Sequence, residues 1–232
     1  MSDALEPLTG VRKAMASVMA RSWSEIPHFA EIVLIDGAPL LARLERARAA
    51  APDDAPRLSI NDLIVHDAIQ TLDAYPDMNV LFVDGKLKRP SSVSVAVAVA
   101  TEQGLMTPVI PDAQAMDAVA VSRSIRDLSA RARAWKLPPD AFEGAVMTVS
   151  NLGAYGVDTG FPVINQRQTA LLFVGSLIER PFVIDGQVVA RPTMYMTLAC
   201  DHRIIDGLTA ARYLGALRQR LEATPEDADG RG

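Results

Sequence analysis

The chain has 232 residues, 49% of them hydrophobic, which is enough apolar material for one sizeable core and makes a single domain the default. Its 23 basic and 28 acidic side chains give a net charge of −5 and are interleaved along the sequence, so the electrostatic footprint of a nucleic-acid or lipid-surface binder is missing. One cysteine and three scattered histidines exclude a disulfide framework and a multi-thiolate zinc site, and no metal is expected.

The N-terminus, "MSDALEPLTG", lacks the basic start and apolar run of a secretory signal, and no segment reaches the eighteen or so apolar residues of a spanning helix. With one cysteine, a reducing, cytoplasmic setting is expected. From Leu8 to Trp23, Val11, Met15, Val18, Met19 and Ser22 fall on one stripe, with Thr9 available as a cap, which predicts a helix with one buried face. "HFAEIVLIDG" reads as a strand and turn. "PLLARLERARAA" resumes helical spacing and stops at Pro52, where "APDDAP" forms a loop.

The clearest helix begins at Ser59, whose spacing to Asp62 is that of a capping box, and carries Ile60, Leu63, Ile64, Ala68, Ile69 and Leu72 on its apolar face until Pro76 ends it. Asp84-Gly85 marks a hairpin in "VLFVDGKLKR". In "SSVSVAVAVATEQGLMTPVI", Val93, Val95, Val97 and Val99 alternate with small residues and predict one strand covered closely on its second face. Helical spacing returns from Met116 to Trp135. The remainder is strand-rich, "GAVMTVSNLG", "TALLFVGSLIERP" and "FVIDGQVVARPTMYMTLAC", with Asp185-Gly186 as a second hairpin turn and a final helix in "GLTAARYLGALRQRLEA". The predicted class is α/β, a two-layer sandwich of helices on a mixed β-sheet.

Chemistry concentrates in "LACDHRIIDG", Leu198 to Gly207. His202 sits where a strand gives way to a loop, a good place for proton transfer, although a lone histidine is more often a satisfied structural residue. Asp206, four residues on, reads either as an orienting carboxylate or as a buried anion paired to an arginine. Ser150 in "TVSNLG" reads by itself as a strand-end turn serine. Cys200, on an alternating strand, reads as a small buried hydrophobe rather than a nucleophile. His28 and His66 read as packing or hydrogen-bonding residues.

"ACDHRIIDG" resembles the DHRxxDG signature of the dihydrolipoyl acyltransferases, the core components of 2-oxoacid dehydrogenase complexes, which share the CoA-dependent acyltransferase (chloramphenicol acetyltransferase-like) fold. "EPLTGVRKAMASVM", "SWSEIPHF", "EQGLMTPVIPDA" and "MTVSNLGAYG" resemble further family segments in the same order. The resemblance implies a catalytic domain over residues 8–222, an N-terminal extension over 1–7 and a disordered tail over 223–232. It implies His202 as general base toward the thiol of coenzyme A, Ser150 as hydrogen-bond donor to the oxyanion with no acyl-enzyme, and Asp206 tied to Arg12 to hold the histidine loop. Asn151 and Gly153 would shape the loop carrying Ser150, and Gly207 would let the chain turn tightly into the last helix. Coenzyme A and dihydrolipoamide would be substrates, with no tightly bound cofactor. The implied assembly is a homotrimer with His202 and Ser150 of each site on different chains, built further into a cubic or dodecahedral core that engages lipoyl domains and the other complex components.

Some features depart from the family pattern. No lipoyl or subunit-binding domain is present, which implies an excised core or a protein acylated by another chain. Ala100 stands where the family commonly has an aspartate, and "INQRQ", with Gln166, Arg167 and Gln168, stands where it commonly has INPP. "IPDA" stands where it commonly has IRDA. The rival readings are a non-catalytic scaffold, disfavoured because His202, Ser150 and Asp206 are all present, and a same-fold acyltransferase with a small-molecule acceptor. The acyl group, acetyl, branched-chain or succinyl, is not legible in these motifs.

Overall fold

The computed structural model describes residues 7–8, 10–102 and 104–224. Helix α1 (Gly10–Glu25) leads into strand β1 (His28–Asp36), and helix α2 (Ala38–Ala50) begins directly after Gly37. The Asp36 carboxylate accepts from the Ala38 N–H at 3.0 Å, and Pro39 occupies the first turn, where its missing N–H costs nothing. Helix α3 (Ile60–Ala74) opens on the expected capping box: the Ser59 hydroxyl accepts from the Asp62 N–H, and the Asp62 carboxylate accepts from the Ser59 N–H at 2.8 Å.

Strands β2 (Leu81–Val83) and β3 (Lys86–Lys88) form the first predicted hairpin, with Asp84 and Gly85 at φ 50° and 74°. Both central residues at positive φ are what a tight two-residue hairpin turn needs. The valine run is not one strand. It divides at Ala98 into β4 (Val95–Val97) and β5 (Val99–Thr101), because β4 pairs with β7 (Val109–Ile110) while β5 forms a separate hairpin with β6 (Gly104–Met106). At the break the Ala98 N–H donates to the Val149 carbonyl. Alternation alone gives no sign of that change of partner.

Helix α4 (Ala118–Arg133) is capped by Asp117, whose carboxylate accepts from the Ala120 N–H at 2.7 Å. Strands β8 (Met147–Asn151), β9 (Ala170–Val174), β10 (Ile178–Ile184) and β11 (Gln187–Asp201) follow, and α5 (Gly207–Glu222) is the last helix. The turn between β10 and β11 again uses positive φ at Asp185 and Gly186.

The main sheet is mixed, in the order β1-β11-β9-β8-β4-β7, with β10 on the first half of β11. β4, β8 and β9 run parallel, and the remaining pairs are antiparallel. One face carries the core: Leu40 and Leu44 of α2, Ile64, Ile69 and Leu72 of α3, and Tyr213 and Leu217 of α5 pack on Met147, Leu172, Met194 and Leu198. Each such side chain contributes about 1.5–3 kcal/mol by leaving water. The opposite face is thinly covered, by a small cluster of Ile26, Ile164, Leu171, Phe173 and Ala199. This is the expected architecture of helices on a mixed sheet.

α1 departs from the expected buried face. Met15, Val18 and Met19 are only half-buried, and of the stripe only Ser22 is buried, donating to the Ile164 carbonyl at 2.5 Å. The stripe roofs a cavity instead of joining the core. Thr9, the Val11 side chain, and most of the expected N-terminal extension and tail lie outside the described residues.

Candidate active site

Ser150 lies near the carboxyl end of β8, between β4 and β9. Strand alternation turns Met147 and Val149 into the main core and leaves Thr148 and Ser150 on the thinly covered face. There Ser150 opens on an apolar cavity of about 550 Å³ between the sheet and α1. Its hydroxyl makes no hydrogen bond among the described residues, so its proton is free for a ligand.

The neighbours of Ser150 are fixed. The Asn151 side chain donates to Asn61 Oδ1 at 3.1 Å and accepts from the Gly153 N–H at 3.0 Å. A Cβ on Gly153 would collide with the Gly175 carbonyl, so only glycine lets these backbones meet. Asn151 and Gly153 also line a second cavity, of about 690 Å³, on the other face of β8, and both cavities touch Ala98.

The family departures at 166–168 bear on this strand. Gln168 is buried, and its Oε1 accepts from the Thr148 hydroxyl at 2.6 Å, while Asn165 donates to Thr148 Oγ1 at 2.8 Å. Gln168 thus braces the residue that shares a face with Ser150, a support that sequence spacing gave no means to find. Arg167, at φ 75°, points out to solvent near Glu143. Ala100 is exposed on the β5–β6 hairpin opposite Leu105, outside the lining of the cavity.

His202 occupies the turn after β11. Its N–H donates to the Pro27 carbonyl at 3.0 Å, its ring rests on Phe29 with centroids 4.5 Å apart, and it is exposed. The turn is held by the residues on either side. Asp201 is fully buried and takes a two-pronged bond from Arg203, Nη2 to Oδ2 at 2.7 Å and Nε to Oδ1 at 2.9 Å, while also accepting the Arg203 N–H at 3.0 Å. Burial alone would penalise that carboxylate, and the guanidinium offsets the loss of water. Arg203 in turn lies 4.4 Å over the Phe82 ring. Sequence reasoning passed over this bracket, although the pattern Asp-His-Arg shows both charges.

Asp206 caps α5, accepting the Thr209 N–H at 2.7 Å. That backbone bond, then the Thr209 hydroxyl, with a smaller contribution from His202, holds its carboxyl below the usual range. The expected tie to Arg12 is not seen: Arg12 is exposed on α1 and forms no ion pair among the described residues, while Asp206 serves as the cap of α5. Gly207 differs as well. It is the first residue of α5, outside the left-handed region, and a Cβ there would make only ordinary contact with Glu31 at 3.5 Å. Cys200 is buried, and desolvation, helped by the charges of Glu31 and Asp201, pushes its thiol well above the ordinary range.

His28 packs and bonds. Its Nε2 accepts the Ile164 N–H at 3.1 Å, so Nδ1 carries the proton given to the Ile26 carbonyl at 2.8 Å, and the ring is neutral. His66 contacts Asp67 at 3.2 Å.

The sheet separates Ser150 from His202 within one chain. Ser150 pairs with Phe173, Phe173 pairs with Thr197, and His202 lies five residues beyond Thr197 along β11. Two strand spacings across and five residues along amount to roughly 15–20 Å. No single substrate bond can touch both side chains of one chain.

Among the described residues no group of three or more His, Cys, Asp or Glu is placed to hold a metal ion, and no helix is long and apolar enough to cross a membrane. Residues 2–228 match the family described as 2-oxoacid dehydrogenases acyltransferase (catalytic domain). The chain is 34% identical over 222 residues to the lipoamide acyltransferase component of the branched-chain alpha-keto acid dehydrogenase complex of Bacillus subtilis, covering 95% of this chain and 52% of that one. It spans about half the length of the curated relatives it matches. Among solved structures it is similar to Azotobacter vinelandii dihydrolipoamide acetyltransferase, studied for the roles of a serine, a histidine and an asparagine in its catalytic mechanism, at 29% identity and TM-score 0.89 over 95% of this chain and 92% of that one. The same identity, TM-score and coverage relate it to the cubic core of the pyruvate dehydrogenase multienzyme complex. A likeness to chloramphenicol acetyltransferase, TM-score 0.53 at 15% identity over 89% and 92% of the two chains, shows the shared fold.

Proposed function

The chain belongs to the acyltransferases of the 2-oxoacid dehydrogenase complexes, through their catalytic domain, and we propose that it moves an acyl group between dihydrolipoamide and coenzyme A at sites shared by two copies of itself. The observation that carries the reading is the free Ser150 hydroxyl at a cavity wall, paired with a histidine that its own chain holds out of reach. The Azotobacter protein supports it. Its serine and histidine stand 52 positions apart and its asparagine four further on, the spacing of Ser150, His202 and Asp206 here.

In the proposed reaction His202 of one copy takes the proton of the coenzyme A thiol as the sulfur attacks the thioester carbonyl of the acylated lipoyl group. A free thiol near pKa 8.5 and an imidazole near 6.5 put full transfer before attack uphill by about 2.7 kcal/mol, so the proton moves with bond formation. Ser150 of the adjacent copy donates to the oxyanion, worth about 3 kcal/mol for a single donor, which offsets that deficit. Collapse breaks the bond to the lipoyl sulfur, and the imidazolium returns its proton to that thiolate. Asp206 fixes the start of α5 behind the histidine turn and carries no proton. A trimer, alone or within a larger cubic or dodecahedral core, supplies the neighbouring copy, and a lipoyl domain, from elsewhere in the same protein or from another chain, supplies the acyl group.

Mixing two inactive variants tests the shared site. His202→Ala and Ser150→Ala, each expected to keep no more than about a hundredth of wild-type kcat alone, are expected to regain up to about a quarter of wild-type transfer when unfolded and reassembled together, because random assembly leaves that share of sites with both groups intact. A mixture as inactive as its parts would remove the shared site.

A further inference from the structure

If Ser150 donates to the acyl carbonyl oxygen, as proposed above, the acyl carbon stands at the cavity that Ser150 opens on, and the acyl chain is a substituent of that carbon that can enter it. Met15 and Met19 come from α1, Met106 from the end of the β5–β6 hairpin, and Leu137, Phe142 and Leu171 complete most of its apolar wall. The polar atoms near Ser150 are few and mostly engaged: the Thr148 hydroxyl and the Asn165 amide bond to each other, and Thr148 also bonds Gln168. Among the described residues no lysine, arginine or histidine of the same chain lines the cavity. Lys88 and Arg167 line an adjoining cavity, where both are exposed, and Arg167 already faces Glu143 at 3.9 Å.

We infer that the transferred acyl group is uncharged and apolar, and that this wall rejects an acyl group ending in a carboxylate. A carboxylate drawn in beside Ser150 would lose its water and meet no cation from the described residues of the same chain, and an exposed cation beyond the cavity gives little in return. The three thioethers extend the inference to shape. Methionine has three rotatable bonds and refills space readily, so straight and branched chains of several sizes fit without a new cavity.

The test compares kcat/KM for acetyl-, isobutyryl-, isovaleryl- and succinyl-CoA with dihydrolipoamide as acceptor, using the full chain in its assembled state. The three uncharged donors are expected within about tenfold of one another, and succinyl-CoA at least about a hundredfold below acetyl-CoA. A succinyl value within tenfold of acetyl overturns the apolar assignment while leaving the acyl-transfer reading standing; no transfer from any donor overturns that reading, and this one with it. Met106→Lys places an ammonium in the wall and is expected to raise the succinyl-to-acetyl ratio at least about tenfold. An unchanged ratio in the folded variant also overturns the assignment.

Discussion

The Ser150 strand end and the His202 turn are built in opposite ways. Ser150 stands on a strand with a partner on each side, against a dry wall, with its hydroxyl unclaimed. His202 stands in the open, on a turn clamped by a buried carboxylate and its arginine. One region offers a cavity and an unclaimed hydroxyl; the other offers an exposed imidazole. Each half is held by its own contacts, so in the proposed shared site the two surfaces could meet in register without being formed together.

Removing the proposed base should do the most damage. His202→Ala is expected to lower kcat about a thousandfold, within the range of general-base catalysis, with the fold unchanged by circular dichroism. Unimpaired turnover would take His202 out of the reaction. Ser150→Ala should lower kcat about a hundredfold with little change in KM for coenzyme A, because the oxyanion exists only after attack. A change confined to KM would make Ser150 a binding residue.

The clamp answers to stability rather than chemistry. Asp201→Ala deprives the Arg203 guanidinium and N–H of their acceptor, and since the arginine side chain is 33% exposed and can be rehydrated, the expected loss is about 2 kcal/mol. Urea unfolding measures it, and a loss below about 0.5 kcal/mol would show that the turn holds without its clamp. The smallest effect belongs to Glu31, whose carboxyl is raised by burial beside the start of α5. A raised carboxyl contributes stability below its unfolded pKa and loses it as pH rises through the folded value. Glu31→Gln should therefore raise Tm at neutral pH relative to wild type, with the gain fading toward pH 4.

Much of this molecule was legible because its local signals are strong. Asp-Gly at 84–85 and 185–186, the Ser59–Asp62 box and the order of family segments lead to the observed hairpins, helix start and fold. The break at Ala98 was not legible, since Val95, Val97 and Val99 alternate without interruption and only the tertiary partners differ. The same holds for Gln168, whose role depends on a loop folding back under Thr148. Asp206 shows a third kind of limit. The residue type was open between an orienting carboxylate and an anion paired to an arginine, and the family pattern pointed to Arg12; the carboxylate instead caps α5 through Thr209, three residues along the chain.

The long strand β11 also governs the order in which the chain can be assembled. Its second half lies between β1 and β9, and the β1 ladder begins with His28 opposite Asp201, 173 positions apart in the chain. At about 5–20 residues per second, the first strand leaves the ribosome roughly ten seconds or more before its ladder partner β11 exists. Pairings so distant in sequence are slow to form, typically on a millisecond-to-second scale once the chain is complete. Ile32, 56% exposed even after folding, sits in the middle of that waiting edge. The strand that leads into the His202 turn is thus also the last to close the sheet, and a nascent chain stopped short of residue 201 carries an unpaired apolar edge open to aggregation.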